Sequence, residues 1–208
     1  MAIRLNGIDT NSTLNVASDA AHGTYVLADN PKLFEPQRTN NFEFVVTDLD
    51  NIMRAGVLGN EDSARIPNAQ EMLRLSVTKA PIPHYTQGVI EIKRGNSVVK
   101  AAGTPTFSNG QVVCNDYIGA DTKAIIMAWQ NLSYNVTTEK VGLMGDYKKD
   151  AYLIEYTPDN QEVRRWRLHG CWVSGVSEDG PSSENNSKNN ITVTIEFDRG
   201  EIDTSDIV

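Results

Sequence analysis

The stretch NNITVTIEFDRG, at 189–200, alternates apolar and polar residues without a break. Ile191, Val193, Ile195 and Phe197 fall on one side, and Thr192, Thr194, Glu196 and Asp198 on the other. A period of two is that of a strand with one face buried and the other facing water or a partner. The pattern recurs in NNFEFVVTDLD, where Phe42, Phe44 and Val46 alternate with Glu43, Val45 and Thr47. EMLRLSVTKAPIP reads the same way: Leu73, Leu75 and Val77 oppose Arg74, Ser76 and Thr78, and Pro81 and Pro83 end the strand. GVIEIKRGNSVVKAAG predicts a hairpin turning at Gly95-Asn96, with Ile90 and Ile92 toward a core. TFSNGQVVCNDYIG predicts another, turning at Asn109-Gly110.

One helix interrupts this series. In DTKAIIMAWQNLSYNV, Ile125, Ala128, Trp129, Leu132 and Val136 form an apolar stripe at helical spacing. Asp121 stands where an N-cap carboxylate accepts an orphan amide bond. After it, 148–177 reads as two strands around the turn TPDNQ and carries two Trp, three Arg and a Cys. Seven or eight strands and one long helix imply a mainly-β (α+β) fold: two packed antiparallel sheets in a sandwich or partial barrel, with one flanking helix. Residues 1–40 read as an N-terminal arm, 41–199 as the β domain and 200–208 as an acidic C-terminal tail. Within the domain, 51–69 is expected to protrude as a loop, and the Ser/Asn-rich 178–190 to be a flexible one.

The 208 residues suffice for a core without disulfide staples. A formal net charge of −8 argues against binding nucleic acid by phosphate neutralisation. The two cysteines, Cys114 and Cys171, lie in apolar strand-like stretches and are expected to be buried free thiols. MAIRLNGIDT lacks the apolar core of a signal peptide, and no stretch approaches the ~18 apolar residues of a membrane span. The expectation is a soluble chain, intracellular when made.

No catalytic constellation emerges. His22, His84 and His169 are far apart, and His169 with Cys171 supplies two metal-capable side chains where zinc needs three or four. There is no phosphate loop, nucleophile elbow or zinc-protease helix. In RRWR, at 164–167, Arg165 and Arg167 fall on the opposite strand face from Arg164, with Glu155, Asp159 and Glu162 nearby. Cross-strand or subunit-interface ion pairs fit better than a nucleic-acid patch, and Trp166 and Trp172 read as core or interface anchors. No enzyme activity, cofactor or metal is expected.

Taken in order, NNFEF, LRLSVTKAPIP, GVIEIKRG, KAIIMAWQNLSYNV, YKKDAYLIEYTPDNQEVRRWRLHGCWVSGVS and ITVTIEFD resemble the tail tube proteins of contractile-tailed bacteriophages, over about 41–199. The resemblance implies two packed β-sheets flanked by a helix, and six-fold rings stacked into a hollow tube. It also implies a sheath around the tube, baseplate and tail terminator proteins at its ends, and a lumen that passes tape measure protein and DNA without specific binding. The location would be the virion tail, assembled in the host cytoplasm. A baseplate tube adaptor, or the tube protein of a type VI secretion or other contractile injection system, is an alternative. A monomeric β-sandwich binding module is the alternative from another class.

Two sets of site residues are expected. Ile52, Met53, Val57 and Leu58 make the loop too apolar to be idle, and with Arg54, Glu61 and Asp62 they should contact the next ring or a neighbouring subunit. Ser76, Thr78, Glu91 and Lys93 should face an acidic lumen if Leu75, Val77, Ile90 and Ile92 face the core.

Overall fold

The computed structural model describes residues 36–50, 52–53, 65–178, 180 and 188–203. The frame is one seven-stranded antiparallel sheet curled into a half-barrel. Its path runs β1 (Phe42–Val46), β8 (Lys149–Tyr156), β9 (Glu162–Glu178), β10 (Asn190–Glu196), β5 (Gly110–Asn115) and β2 (Val77–Lys79), and β11 (Arg199–Asp203) also pairs with β9. Two smaller sheets are hairpins: β3 (Tyr85–Arg94) with β4 (Ser97–Phe107), and β6 (Tyr134–Asn135) with β7 (Lys140–Val141). Three helices complete the described residues: α1 (Ala69–Ser76), α2 (Thr122–Ser133) and α3 (Met144–Tyr147).

The alternation in β1 and β10 is realised as expected. Phe44, Val46, Ile191, Val193 and Ile195 are fully buried and Phe197 nearly so. From β8 and β9, Ala151, Leu153, Leu168, Cys171 and Val173 join them. Helix α2 closes this core, packing on β9, α1 and α3. Ile125, Ala128 and Trp129 are buried, with Ile126 beside them, and the Trp129 indole donates to the Tyr147 carbonyl at 3.0 Å. The helix ends at Ser133, so Val136 leaves the stripe and is exposed. Asp121 holds the N-cap position with a left-handed backbone, φ 48°, and makes no side-chain cap bond.

The largest departure from the sequence pattern is at 69–76. The strand expected there is helix α1, and only Val77–Lys79 are extended. Ala69, Leu73 and Ser76 recur at helical spacing and are the buried residues, while Leu75 is exposed. The helix is held by a net on both faces. Arg74 pairs with Glu71 one turn back and with Glu43 of β1 at 2.6 Å. Ser76 Oγ lies 2.8 Å from the Met72 carbonyl and 2.9 Å from Thr122 Oγ1, joining the end of α1 to the start of α2 inside the core.

Two further expectations are corrected. Asn109-Gly110 is not a hairpin turn, since β4 and β5 belong to different sheets. Residues 200–203, assigned to the acidic tail, belong to strand β11, which pairs with β9 from Arg199↔His169 to Asp203↔Arg165.

Trp129 is 2 % exposed, so its replacement tests the α2 seat directly. Trp129→Ala is expected to cost about 3–5 kcal/mol, read as a lower melting temperature of the free subunit. An unchanged melt would remove Trp129 from the core.

Candidate assembly surfaces

Among the described residues there are open strand edges and one strand pair with no core beneath it. All ten residues of β3 are exposed, and β4 is exposed except at Gly103 and Phe107. Among the described residues the two pair only with each other, turning at Gly95 with φ 58°, as the sequence predicts. Register places directly opposite residues on one face. Glu91↔Lys100, Lys93↔Val98 and Val89↔Ala102 make the charged face, and Ile90↔Ala101 and Ile92↔Val99 the apolar one. The ribbon is therefore amphipathic, yet Ile90 is 55 % and Ile92 45 % exposed. Their expected place in this subunit's core is overturned, although the alternation itself is right.

The root of the ribbon, by contrast, is anchored. Phe107 packs on Phe197 at 6.1 Å between ring centroids and on Tyr85 at 5.6 Å. Pro81 and Pro83 lie against the main sheet where no side chain intervenes. A Cβ at Gly110 would sit 2.4 Å from Pro81 Cβ, and one at Gly200 only 2.2 Å from Pro83 Cβ. Glycine is required at both positions by this close approach.

A second surface is the side of β8, β9 and β11 turned away from the core. Tyr152, Arg167 and Glu201 stand in one row across the three strands, and Ile154, Arg165 and Asp203 in the next. Its charges neutralise each other. Arg167 pairs with Asp150 at 2.9 Å and Arg199 with Glu201 at 3.1 Å. His169 Nε2 lies 3.0 Å from Glu201, and its Nδ1 3.6 Å from Asp150. Arg164–Glu155 at 3.0 Å, across β9 and β8, and Arg165–Glu162 at 2.8 Å, within β9, complete the pairing of the RRWR run, so that Arg164 and Arg167 take the cross-strand role expected for it. Burial pushes the Asp150 carboxyl up, but the Arg167 guanidinium, the Gly170 amide and neighbouring His169 together hold it below the ordinary aspartate range. Burial pushes the thiols of Cys114 and Cys171 up to about 12, so both are inert.

The expected site residues scatter. Ser76 is fully buried against Thr122 and is not on any surface. Thr78 is exposed on edge strand β2 and donates to the Val113 carbonyl at 3.0 Å. Glu91 and Lys93 share the charged face of the ribbon. Ile52 is part of the core, whereas Met53, 45 % exposed, bridges to Arg65 beside an open cleft of about 740 Å³. Arg54, Val57, Leu58, Glu61 and Asp62 lie outside the described residues. An exposed apolar patch around β6–β7 and α3 was missed: Val136, Val141, Leu143 and Met144 are each at least two-thirds exposed. Its signal in the sequence is the run VGLMG just beyond the helix.

No family model and no curated protein matches the chain. Solved structures do. A chain of an extracellular contractile injection system, the PVC sheath–tube complex in its extended state, matches with a TM-score of 0.58 at 14% identity, over 84% of this chain and 96% of that one. A chain of the anti-feeding prophage cap, described as the tube terminating cap, matches at 0.55 and 17% identity, over 82% and 92%. One from the six-fold symmetrised anti-feeding prophage baseplate matches at 0.53 and 9% identity, over 80% and 95%. The chain thus has the fold of these contractile-system components.

Asp150 ties Arg167 and the Gly170 amide to β8. Because its folded pKa is depressed, its contribution to stability is complete above the unfolded value of about 3.9 and is lost as pH falls through the folded value. Melts of wild type and Asp150→Asn should therefore differ at neutral pH and converge toward pH 2. A constant gap across that window would show that the carboxylate's charge is irrelevant there.

Proposed function

We propose that the chain is a structural subunit of a phage tail tube, assembling as hexameric rings that stack around a lumen through which DNA passes. The observation that carries this is the unpaired β architecture of the subunit. A two-stranded ribbon is marginal alone, and exposed edges are a liability in a monomer. Both make sense if satisfied between copies. The fold shared with contractile-system chains supports the same reading, as does the resemblance of 41–199 to phage tail tubes. Sheath, baseplate and terminator proteins are the accompanying partners, tape measure protein and DNA the passengers, and the virion tail, assembled in the host cytoplasm, the location.

The matched chains also favour a second reading within the same class. Two of them come from a tube cap and a baseplate, and a third from an extracellular injection system. The protein would then be an adaptor at one end of a tube, or the tube of a secretion or injection machine. Ring-forming capacity is common to both readings, while stacking into long tubes separates the main tube from an end adaptor.

Among the expected lumen residues, Thr78, Glu91 and Lys93 remain candidates. Glu91 opposes Lys100 in register, and Lys93 lies on the same face opposite Val98, so the ribbon's charged face carries one surplus positive charge and does not by itself supply the acidic lumen expected.

Native mass spectrometry and negative-stain imaging test the proposal. The expected result is a species of six 22.9 kDa subunits, with stacked rings or tubes at high concentration. A protein that stays monomeric at every concentration and salt overturns it.

A further inference from the structure

Gly88 stands inside strand β3 with no packing reason to be glycine. Among the described residues a Cβ there would meet nothing within 4 Å, and its backbone is not left-handed. Glycine inside a strand costs stability through its conformational freedom and has no side chain to pack. Where neither space nor backbone demands it, what it supplies is motion. The opposite strand is weak at the same place. Register runs from Gln87↔Pro105 to Val89↔Ala102, so Gly88 faces two residues, Gly103 and Thr104. This is a β-bulge, which interrupts the ladder and bends the strand carrying the extra residue. Gly103 must be glycine, because a Cβ would meet the Gly88 carbonyl at 2.8 Å. Pro105 has no amide hydrogen to give to the ladder.

The two sides of the bulge differ in firmness. On the root side Phe107 packs on Phe197 and Tyr85, and Ser108 N donates to the His84 carbonyl at 3.4 Å. Pro81 and Pro83 seat the same segment on Gly110 and Gly200. Beyond the bulge, every residue of 89–102 is exposed, and among the described residues β3 and β4 make substantial contact only with each other. The other register shifts, at Thr194/Ile195, Lys149/Ala151, Glu155/Tyr156 and Val77/Lys79, lie in the main sheet, where buried side chains back the strands. Gly175 also leaves room for a Cβ, but it belongs to that backed sheet.

We propose that Gly88 and Gly103 form a hinge, and that residues 89–102 turn about it as one limb while the root stays on the main sheet. The turn re-aims the apolar face of Ile90, Ile92 and Val99 and leaves the pairing on either side of the bulge intact. Gly88 to Lys93 spans about 16 Å at roughly 3.3 Å per residue, so a turn of about 20° carries Lys93 through about 6 Å. The hinge belongs to the single subunit and stands apart from the tube reading.

Pulsed electron paramagnetic resonance on the doubly spin-labelled full chain tests it, with unlabelled protein in excess so that only distances within one subunit are read. The native thiols are buried, so background labelling at Cys114 and Cys171 is low. Met127→Cys, on the exposed side of α2, is the fixed reference. Paired with Thr86→Cys it stops short of the hinge, and paired with Lys93→Cys it spans it. The expected result is a narrow distance distribution for the first pair and one broader by several ångström, or split, for the second. Gly88→Val places a stiff side chain in open space, so it should narrow the second distribution toward the first and leave the melting temperature in place. Equal widths for the two pairs overturn the hinge. A broad second distribution that Gly88→Val leaves unchanged puts the motion elsewhere in the ribbon and also overturns it. The comparison of the two pairs alters nothing at the hinge itself, so it decides the matter even if Gly88→Val folds poorly.

Discussion

The half-barrel depends on one strand changing partners at one glycine. The 17 residues of β9 pair with β8 and β11 through their first half and with β10 through their second. Between the halves stands Gly170, with φ 66°, where a Cβ would lie 2.5 Å from Asp198 Oδ2. Left-handed backbone and lack of space require glycine independently. The bend is then fastened from both sides: Asp150 accepts from Gly170 N at 3.3 Å, and Lys148 reaches Asp198 at 2.7 Å. The register of β9 against the chain of β10 and β11 continues through this point, from Glu196↔Trp172 to Arg199↔His169. The bend therefore curls the sheet without cutting it, and the inward face on either side still delivers Leu168, Cys171 and Val173 to one core.

Much of this was legible because burial and alternation coincide. Phe44, Ile191, Val193 and Ile195 announce their strands and their facing together, and the 148–177 hairpin forms as expected around 157–161, where Thr157 N donates to the Gln161 carbonyl. The 69–76 segment failed for a physical reason. In MLRLSV, the apolar Leu73, Leu75 and Val77 satisfy a period of two, while the positions that are buried include Ala69 and Ser76. Apolar character did not mark a core position occupied by a hydroxyl, because that hydroxyl's partner, Thr122, is 46 residues away. The helix-forming composition of AQEMLRL and the Glu71–Arg74 spacing were the available local signals. Misplacing that helix put Ser76 on an exposed strand face, whereas it is fully buried.

The ribbon carries a different lesson. Ile90 and Ile92 alternate with Glu91 and Lys93 as cleanly as any core strand, and the inference that the apolar side should be covered is sound. What alternation cannot encode is whose surface covers it. In a monomeric domain the answer is the same chain by default. Among the described residues nothing covers it, and the strand pair stands with two wet faces. The loop residues Ile52 and Met53 invert the case. An apolar segment expected at an interface puts Ile52 into the subunit's own core and leaves Met53 at the edge of a cleft.

An exposed apolar ribbon must also be kept from joining the wrong partner. Several features of β3–β4 act against indiscriminate edge pairing. Pro105 has no amide hydrogen to offer a further strand, and Gly103 sits where a Cβ would meet the Gly88 carbonyl at 2.8 Å, beside the register shift between Gln87 and Val89. Lys93, Arg94 and Lys100 place like charges on every copy, so two ribbons repel when they approach tip to tip. Repulsion between like parts disfavours isologous pairing of ribbons, and a head-to-tail contact is the kind that can close into a ring.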